Sequence, residues 1–153
     1  MDQEEARRRL AVARVGRLAT VRPDGTPHVV PVVFAVVEDV LYTAVDSKPK
    51  TTTALQRLAN IDATGRASVL VDRYAEDWAG LWWVRADGSA RVLVSQGTEN
   101  GRTVPTQAQP GQVGLAIKAL TLKYPQYVDR PPLGSVIALS LTRWRWWEAT
   151  TSS

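Results

Sequence analysis

The 153-residue sequence has no cysteine, a single histidine and no long apolar run. Without cysteine, the chain can form neither a disulfide framework nor a thiolate zinc site. One histidine cannot build a metal centre without a carboxylate cluster, and the sequence shows no such cluster. No apolar segment reaches the roughly 18 residues of a membrane span. We therefore expect no metal site and no membrane partner.

The sequence also offers little sign of export or of nucleic-acid binding. Its first segment, MDQEEARRRL, lacks the apolar centre of a secretory signal, so we expect a cytoplasmic protein. The net charge of +4 favours an acidic partner such as nucleic acid, an anionic lipid or an anionic cofactor. However, Glu4 and Glu5 stand one helical turn before the arginines of that segment. Such spacing is typical of a solvated helix face with ion pairs, and we predict no nucleic-acid partner.

The apolar periodicity predicts one domain over residues 1–153, built mainly from strands. Asp2 and Glu5 form a capping box that opens a helix, and Gly16 is predicted to close it. Asp87, Gly88 and Ser89 are predicted to form a hairpin turn, and 95–112 a flexible loop. About six antiparallel strands with short helices fit a closed or half-closed barrel. We predict strands at 17–21, 28–37, 40–45, 67–74, 81–86, 90–94 and 135–147, and further helices at 49–60 and 113–124.

The long strand at 28–37 is apolar on both faces beyond His28. Two apolar faces predict that both are covered, one by the interior of the barrel and the other by a second subunit or a ligand. We therefore expect a homodimer with a groove along this strand. Pro31 lacks an amide donor, so the strand should be irregular or at an edge near that residue.

The segment VDSKPKTTTAL, residues 45–55, joins a strand to the start of a helix. A helix start offers free amide donors and the positive end of the helix dipole, and lysines and hydroxyl groups add charge and further donors. This pattern predicts a site for a phosphate-bearing ligand, although a capped basic helix start without a ligand explains the same spacing. The residues concerned are Ser47, Lys48, Lys50, Thr51 and Thr52.

The pieces LATVRPDGTPHVVPV, LYTAVDSKPK, RLANI and LWWVRADG occur in an order that resembles the pyridoxamine 5'-phosphate oxidase-like split-barrel superfamily. KYPQY and VIALSLTRW resemble its branch of coenzyme F420-dependent oxidoreductases. The resemblance implies a split β-barrel, a homodimer and a reductase that transfers hydride from reduced deazaflavin to a small unsaturated or quinone-like substrate. An FMN- or haem-binding protein of the same superfamily, or a non-catalytic cofactor carrier, are the alternatives.

The resemblance also implies which residues lie near the cofactor. Beside the segment after Asp46, it implies contacts from a strand next to the tricyclic ring and from the loop AEDWAG. The flavin oxidases carry an arginine and a lysine that hold the FMN phosphate, and here Val30 and Ala35 stand at those positions. This loss favours F420 over FMN, and no catalytic residue is assigned. The implied cofactor contacts are His28, Val30, Pro31, Val32, Asp77 and Trp78.

Trp82 and Trp83 are neighbours on one predicted strand. Neighbouring residues of a strand point to opposite faces, so the two rings cannot fill the same core. We predict that one ring lies in the barrel core and the other at an interface.

Overall fold

The structure, a computed structural model, describes residues 1–45, 52–93, 98–99, 102–103, 111–132 and 134–150. The helices are α1 (Gln3–Val12), α2 (Thr52–Thr64), α3 (Gln112–Lys123) and α4 (Gln126–Asp129), with a 3₁₀ turn at Trp78–Gly80. The strands are β1 (Gly16–Val21), β2 (Pro27–Val32), β3 (Ala35–Val37), β4 (Val40–Ala44), β5 (Arg66–Arg73), β6 (Trp82–Leu93), β7 (Thr98–Glu99), β8 (Arg102–Thr103), β9 (Val136–Ser140) and β10 (Arg143–Glu148).

Eight of the described strands form one antiparallel sheet that curls into a half-barrel. The order is β2-β1-β5-β6-β9-β4-β3, and β10 pairs with β6 outside that path. The mainly β architecture with short helices is confirmed, although the sheet has eight strands rather than about six. β7 and β8 pair only with each other and lie inside the predicted 95–112 loop, the rest of which is largely outside the described residues.

The predicted hairpin turn at Asp87, Gly88 and Ser89 is wrong, because β6 runs through these residues without a break. Up to Ser89, β6 pairs with β5, and from Ala90 it pairs with β9. A Cβ on Gly88 would lie 1.6 Å from the carbonyl oxygen of Ser140. The glycine is therefore needed for a close approach of two backbones, not for a turn.

Two predicted strands are each divided into two. The strand at 28–37 breaks at Val33 and Phe34, where the Phe34 amide donates to the Tyr124 hydroxyl at 3.0 Å and the Tyr124 hydroxyl donates to the Phe34 carbonyl at 2.8 Å. These bonds replace ladder partners at Phe34. The strand at 135–147 breaks after Ser140, so that β9 pairs with β4 and β10 pairs with β6.

Helix α1 begins as predicted and ends earlier than predicted. The Asp2 side chain accepts a hydrogen bond from the Glu5 amide at 2.8 Å, which confirms the cap. The helix ends at Val12, with Ala13 extended, and Gly16 is the first residue of β1. Gly16 therefore does not close the helix. A Cβ added to Gly16 would lie 3.0 Å from the ring of Phe34, so this position favours glycine because of the space available.

The C-terminal end of α3 fastens α1 to the sheet. The Lys123 ammonium donates to the carbonyl oxygens of Ala11 at 2.9 Å and Ala13 at 2.7 Å. It also lies 4.2 Å from the ring centroid of Phe34. Burial, with a smaller contribution from Arg14, lowers the pKa of Lys123 to about 8. A basic side chain at this helix end satisfies carbonyl groups that have no partner within the helix.

Two apolar clusters fill the interior. The larger lies inside the curled sheet and is covered by α1 and α2, and the smaller lies between α3 and the β3-β4-β9 edge. Within the described residues, no helix is long and apolar enough to cross a membrane. The largest fully buried side chains of the larger cluster are Leu10, Leu18, Phe34, Leu41, Ile61, Ile137 and Leu139.

Candidate functional site

Strands β2, β1, β5, β6 and β10 present one face to the core and the opposite face outward. The register places Leu18 opposite Val30 and Val69, and all three are buried. One residue further along β1, Ala19 lies opposite Val29 and Ser68 on the outer face. Because side chains alternate across a strand, this register shows which residues of β1, β2 and β5 face outward, and the pairing of β6 with β5 and β10 extends the outer face to those two strands.

A groove of about 480 Å³ runs across this outer face. Its floor is apolar where Val29, Leu70 and Trp83 meet, and Tyr74 adds a second ring at the end of β5. The volume lies within the range of about 300–1,000 Å³ that small-molecule sites occupy. The lining residues are Arg17, Ala19, Val29, Ser68, Val69, Leu70, Asp72, Tyr74, Trp83 and Arg85.

Both arginines of the groove are held by carboxylates. The Arg17 guanidinium donates to Asp72 Oδ1 at 2.7 Å, and the Arg85 Nε lies 3.0 Å from Asp87 Oδ1. These pairs place the guanidinium groups beside the apolar floor. An apolar surface flanked by a few oriented polar groups is the usual composition of a binding site for a planar ligand.

Strand β2 carries four of the predicted site residues, and the structure divides them between its faces. Val30 and Val32 are buried in the core, whereas Pro31 is exposed on the outer face opposite Arg17. The His28 Nδ1 is buried and has no hydrogen-bond partner among the described residues. The side chain of β2 that lines the groove is Val29, which the sequence reasoning did not select.

Asp77 and Trp78 lie in the loop between β5 and β6. The Asp77 carboxylate accepts a hydrogen bond from the Ala79 amide at 3.0 Å and so caps the 3₁₀ turn. Trp78 is 76% exposed. Tyr74, at the start of the same loop, lines the groove, so the predicted loop borders the groove although neither predicted residue lines it.

The predicted anion site after Asp46 falls almost entirely outside the described residues. Ser47, Lys48, Lys50 and Thr51 all lie there, and Thr52 is the first residue of α2. The role of these residues therefore stays a prediction.

Trp82 and Trp83 point to opposite faces, as predicted. Trp82 packs against the larger core cluster, and the Arg9 guanidinium lies 5.0 Å from its ring centroid. Trp83 lines the outer groove. Sequence reasoning missed Leu70 and Tyr74 as groove residues. The alternation of Ser68, Leu70 and Asp72 along β5 was a usable signal, but the register to Val29 and Trp83 was needed to bring them together.

The ion pairs predicted on α1 are present. Glu5 accepts from the Arg8 Nε and the Arg9 Nε at 2.8 and 2.7 Å, and Arg9 also reaches Glu148 at 2.7 Å. The bond from Arg8, followed by that from Arg9, lowers the pKa of Glu5 to about 2. The charged groups on this face of α1 are therefore paired with one another and with Glu148, as expected for a solvated helix surface.

Comparison with known proteins identifies related sequences and folds. The family described as pyridoxamine 5'-phosphate oxidase matches residues 2–148. No curated protein matches the sequence.

Several solved structures share the fold. A conserved hypothetical protein from Mycobacterium tuberculosis gives a TM-score of 0.71 at 19% identity, over 97% of this chain and 85% of that one. An FAD-binding protein from Mesorhizobium loti gives 0.66 at 22% identity, over 95% and 94%. A heme-binding protein from Mycobacterium smegmatis gives 0.66 at 21% identity, over 97% of this chain and 55% of that one. At these identities the likeness concerns the fold alone.

Proposed function

The chain belongs to the pyridoxamine 5'-phosphate oxidase family, and from this membership we propose that it is an oxidoreductase dependent on coenzyme F420. In this proposal the reduced deazaflavin supplies a hydride to a small unsaturated or quinone-like substrate. A protein that uses such a cofactor contributes binding, orientation and the exclusion of water. The described residues that line the outer groove could provide part of the binding and orientation.

The observation that carries the proposal is the outer groove. Leu70 and Val29 supply an apolar floor, and Trp83 and Tyr74 supply aromatic surfaces for a planar ring. Aromatic rings pack in offset or edge-to-face arrangements and remove much apolar area from water. A tricyclic ring bound in the groove would therefore be shielded on one side by the sheet. The implied contacts Asp77 and Trp78 lie in the loop that borders this groove.

The choice of F420 over FMN rests on two buried positions. Val30 is 8% exposed and Ala35 is 4% exposed, and these residues stand where the resemblance places the phosphate-binding arginine and lysine of flavin oxidases. Charge-assisted hydrogen bonds are each worth about 1.5–3 kcal/mol. An FMN phosphate would lose both of these partners, so Lys48 and Lys50 are proposed to hold the anionic part of a different cofactor.

We also propose a homodimer whose interface includes the outer face. Val29, Tyr74 and Trp147 are exposed apolar or aromatic residues on or beside this face. Contiguous exposed apolar surface of this kind marks an interaction site in many soluble proteins. A second copy over the sheet would close the groove on its open side and exclude water from it.

Calorimetric titration with coenzyme F420 and with FMN tests the proposal. We expect micromolar or tighter binding of F420, and Leu70→Ala should weaken it several-fold because the floor of the groove loses apolar contact. Leu122→Ala is the matched control, since Leu122 is 78% exposed on α3 and lies outside the groove. Tight FMN binding together with F420 binding no stronger than millimolar would end the proposal.

A second candidate is an FMN- or haem-binding protein without F420 chemistry. The FAD-binding and heme-binding proteins of the same fold favour it. A characteristic flavin or haem absorbance of the purified protein would support this candidate. A non-catalytic carrier is distinguished from an enzyme by hydride-transfer assays with quinones and unsaturated lactones.

A further inference from the structure

A second groove, of about 600 Å³, lies between helix α1 and the end of strand β5. It is separate from the outer groove, although Arg17 and Asp72 border both. Five arginines and only two carboxylates line it, and we call it the basic groove. The arginines are Arg8, Arg9, Arg14, Arg17 and Arg73.

Both carboxylates of the basic groove are already engaged by arginines. Glu5 accepts hydrogen bonds from Arg8 and Arg9, and Asp72 accepts one from Arg17 at 2.7 Å. No carboxylate of the described lining is therefore left for the other two arginines. The described part of the chain gives this groove an excess of positive charge.

Arg14 and Arg73 are the two arginines whose charge is not paired. Arg14 donates to the Lys123 carbonyl at 2.8 Å, and its guanidinium lies 4.6 Å from the ring centroid of Tyr124. Arg73 is exposed beside Gly80, where an added Cβ would be 3.7 Å from its guanidinium carbon. Neither forms an ion pair with a described carboxylate, so both offer donors to an anion from outside the chain.

The basic groove also has an apolar side. Val12 and Val15 both line it and are both exposed. Trp82 adds an aromatic surface, with the Arg9 guanidinium over its ring. Exposed valines beside unpaired arginines favour a ligand that carries apolar groups as well as carboxylates.

We propose that the basic groove binds an acidic peptide segment of a partner protein, in which carboxylate side chains alternate with apolar ones. The carboxylates pair with Arg14 and Arg73, and the apolar side chains cover Val12 and Val15. A guanidinium matches a carboxylate through two parallel donors, and complementary charge speeds encounter and selects the partner. The proposal does not depend on the identity of the redox ligand in the outer groove.

A nucleic acid fits the basic groove less well than such a peptide. Phosphate backbones are bound by cations that follow the strand, whereas these arginines surround one groove of limited volume. A phosphate backbone also has no apolar group to cover Val12 and Val15. Binding of nucleic acid is therefore a result against which the proposal is tested.

Calorimetric titration with three synthetic peptides tests the chemistry of the ligand. The first peptide alternates glutamate with leucine, the second has glutamine for each glutamate, and the third has serine for each leucine. We expect micromolar binding of the first, weakened at least about tenfold when salt is raised to about 0.3 M, because salt screens exposed charges. The glutamine peptide should bind at least about 30-fold more weakly, since it loses the charge-assisted bonds.

Two arginines at opposite ends of one strand locate the binding site. Arg66 and Arg73 are the first and last residues of β5, and both are exposed, but only Arg73 lines the basic groove. Arg73→Gln should weaken binding of the glutamate–leucine peptide about 5- to 10-fold, and the control Arg66→Gln less than about twofold. Arg14→Gln should act like Arg73→Gln. The midpoints of thermal unfolding of Arg66→Gln and Arg73→Gln should equal that of the wild type, because both side chains are exposed.

Val12 tests the apolar side of the groove. Val12→Ser should weaken binding of the glutamate–leucine peptide several-fold, because apolar contact is lost. The same change should leave binding of the glutamate–serine peptide unaltered. Equal losses for the two peptides would contradict the apolar contact.

Other occupants of the basic groove give different results. Equal affinity for the glutamate and glutamine peptides, equal effects of Arg66→Gln and Arg73→Gln, or no binding of the glutamate–leucine peptide would each overturn the proposal. Tighter binding of a single-stranded oligonucleotide or of anionic lipid vesicles, lost in Arg73→Gln, would assign the groove to nucleic acid or to a membrane surface instead. A wild-type dimer that Arg73→Gln dissociates in gel filtration, without peptide binding, would assign it to a second copy of the chain.

Discussion

Val29 and Val30 are identical neighbours on β2, yet Val29 is 61% exposed and Val30 is buried. The same division continues across β1, β5, β6 and β10, where one face packs into the core and the other carries the groove with its paired arginines. On β2 composition cannot separate the two faces, because Val29 and Pro31 on the outer face are as apolar as Val30 and Val32 on the inner face. What separates them is that the described chain covers one face with α1 and α2 and leaves the other open.

The sheet has these two faces because β6 runs without a break from its pairing with β5 to its pairing with β9. Gly88 allows this path. Gly88→Ala should lower the free energy of unfolding by about 3 kcal/mol or more, because the new Cβ would meet the Ser140 carbonyl oxygen and one backbone would have to move. Chemical denaturation measures the loss. Gly114→Ala is the matched control, since open space surrounds Gly114 in α3 and the change should stabilise the helix by about 0.5–1 kcal/mol. Equal effects in the two variants would contradict the close approach.

The two valines test the contrast directly. Val30→Ala should cost about 2 kcal/mol of unfolding free energy, from lost burial and the cavity left behind. Val29→Ala should cost less than about 0.5 kcal/mol in dilute protein, where the outer face is in water. Denaturation of both variants at low concentration gives the comparison, and gel filtration over a range of concentrations shows whether Val29→Ala weakens self-association. A larger loss for Val29 than for Val30 at low concentration would reverse the assignment of the faces.

Lys123 is a half-buried cation bonded to backbone carbonyl groups, whereas the arginines of the outer face are paired with carboxylates. Because burial lowers the pKa of Lys123 to about 8, the unfolded chain binds more protons than the folded one above that pH. The contribution of Lys123 to stability should therefore rise as the pH increases from about 8 towards the ordinary lysine pKa near 10.4. Denaturation midpoints from pH 7 to 10 measure this rise. Lys123→Met should remove it, whereas Lys118→Met, at an exposed position of α3, should not.

The smallest effect is expected from the ion pair on the open face. In dilute protein, a double-mutant cycle of Arg17→Ala and Asp72→Ala should give a coupling energy of about 0.5 kcal/mol or less, because solvent screens exposed pairs. At concentrations where a dimer covers the face, the coupling should increase and become less sensitive to salt. A coupling above about 2 kcal/mol in the monomer would mean that the outer face is not open to water.

Much of the fold could be predicted from local patterns in the sequence. The cap at Asp2 and the alternation of β1 and β5 depend on near neighbours in the sequence, and the structure has them as predicted. The second bond of the capping box is not formed, because the Glu5 carboxylate pairs with Arg8 and Arg9. The failures at Gly16 and Gly88 have a different origin. Both glycines resembled local stop signals, but the atoms that require them belong to Phe34 and Ser140, far away in the chain.

The candidate site was harder to predict than the fold for the same reason. The charged segment after Asp46 stands out in the sequence, whereas the groove is assembled from outward residues of four strands. Val29, Leu70 and Trp83 are unremarkable in their own segments and meet only through the register of the sheet.

The continuity of β6 bears on how the protein opens. Val84 lies in the part of β6 that pairs with β5 and β10, and Val92 in the part that pairs with β9. Because β6 belongs to both parts of the sheet, we expect that neither part can unfold while the other stays intact. Backbone amides of the two segments should therefore exchange with deuterated solvent through a single shared event, at rates that report the same free energy.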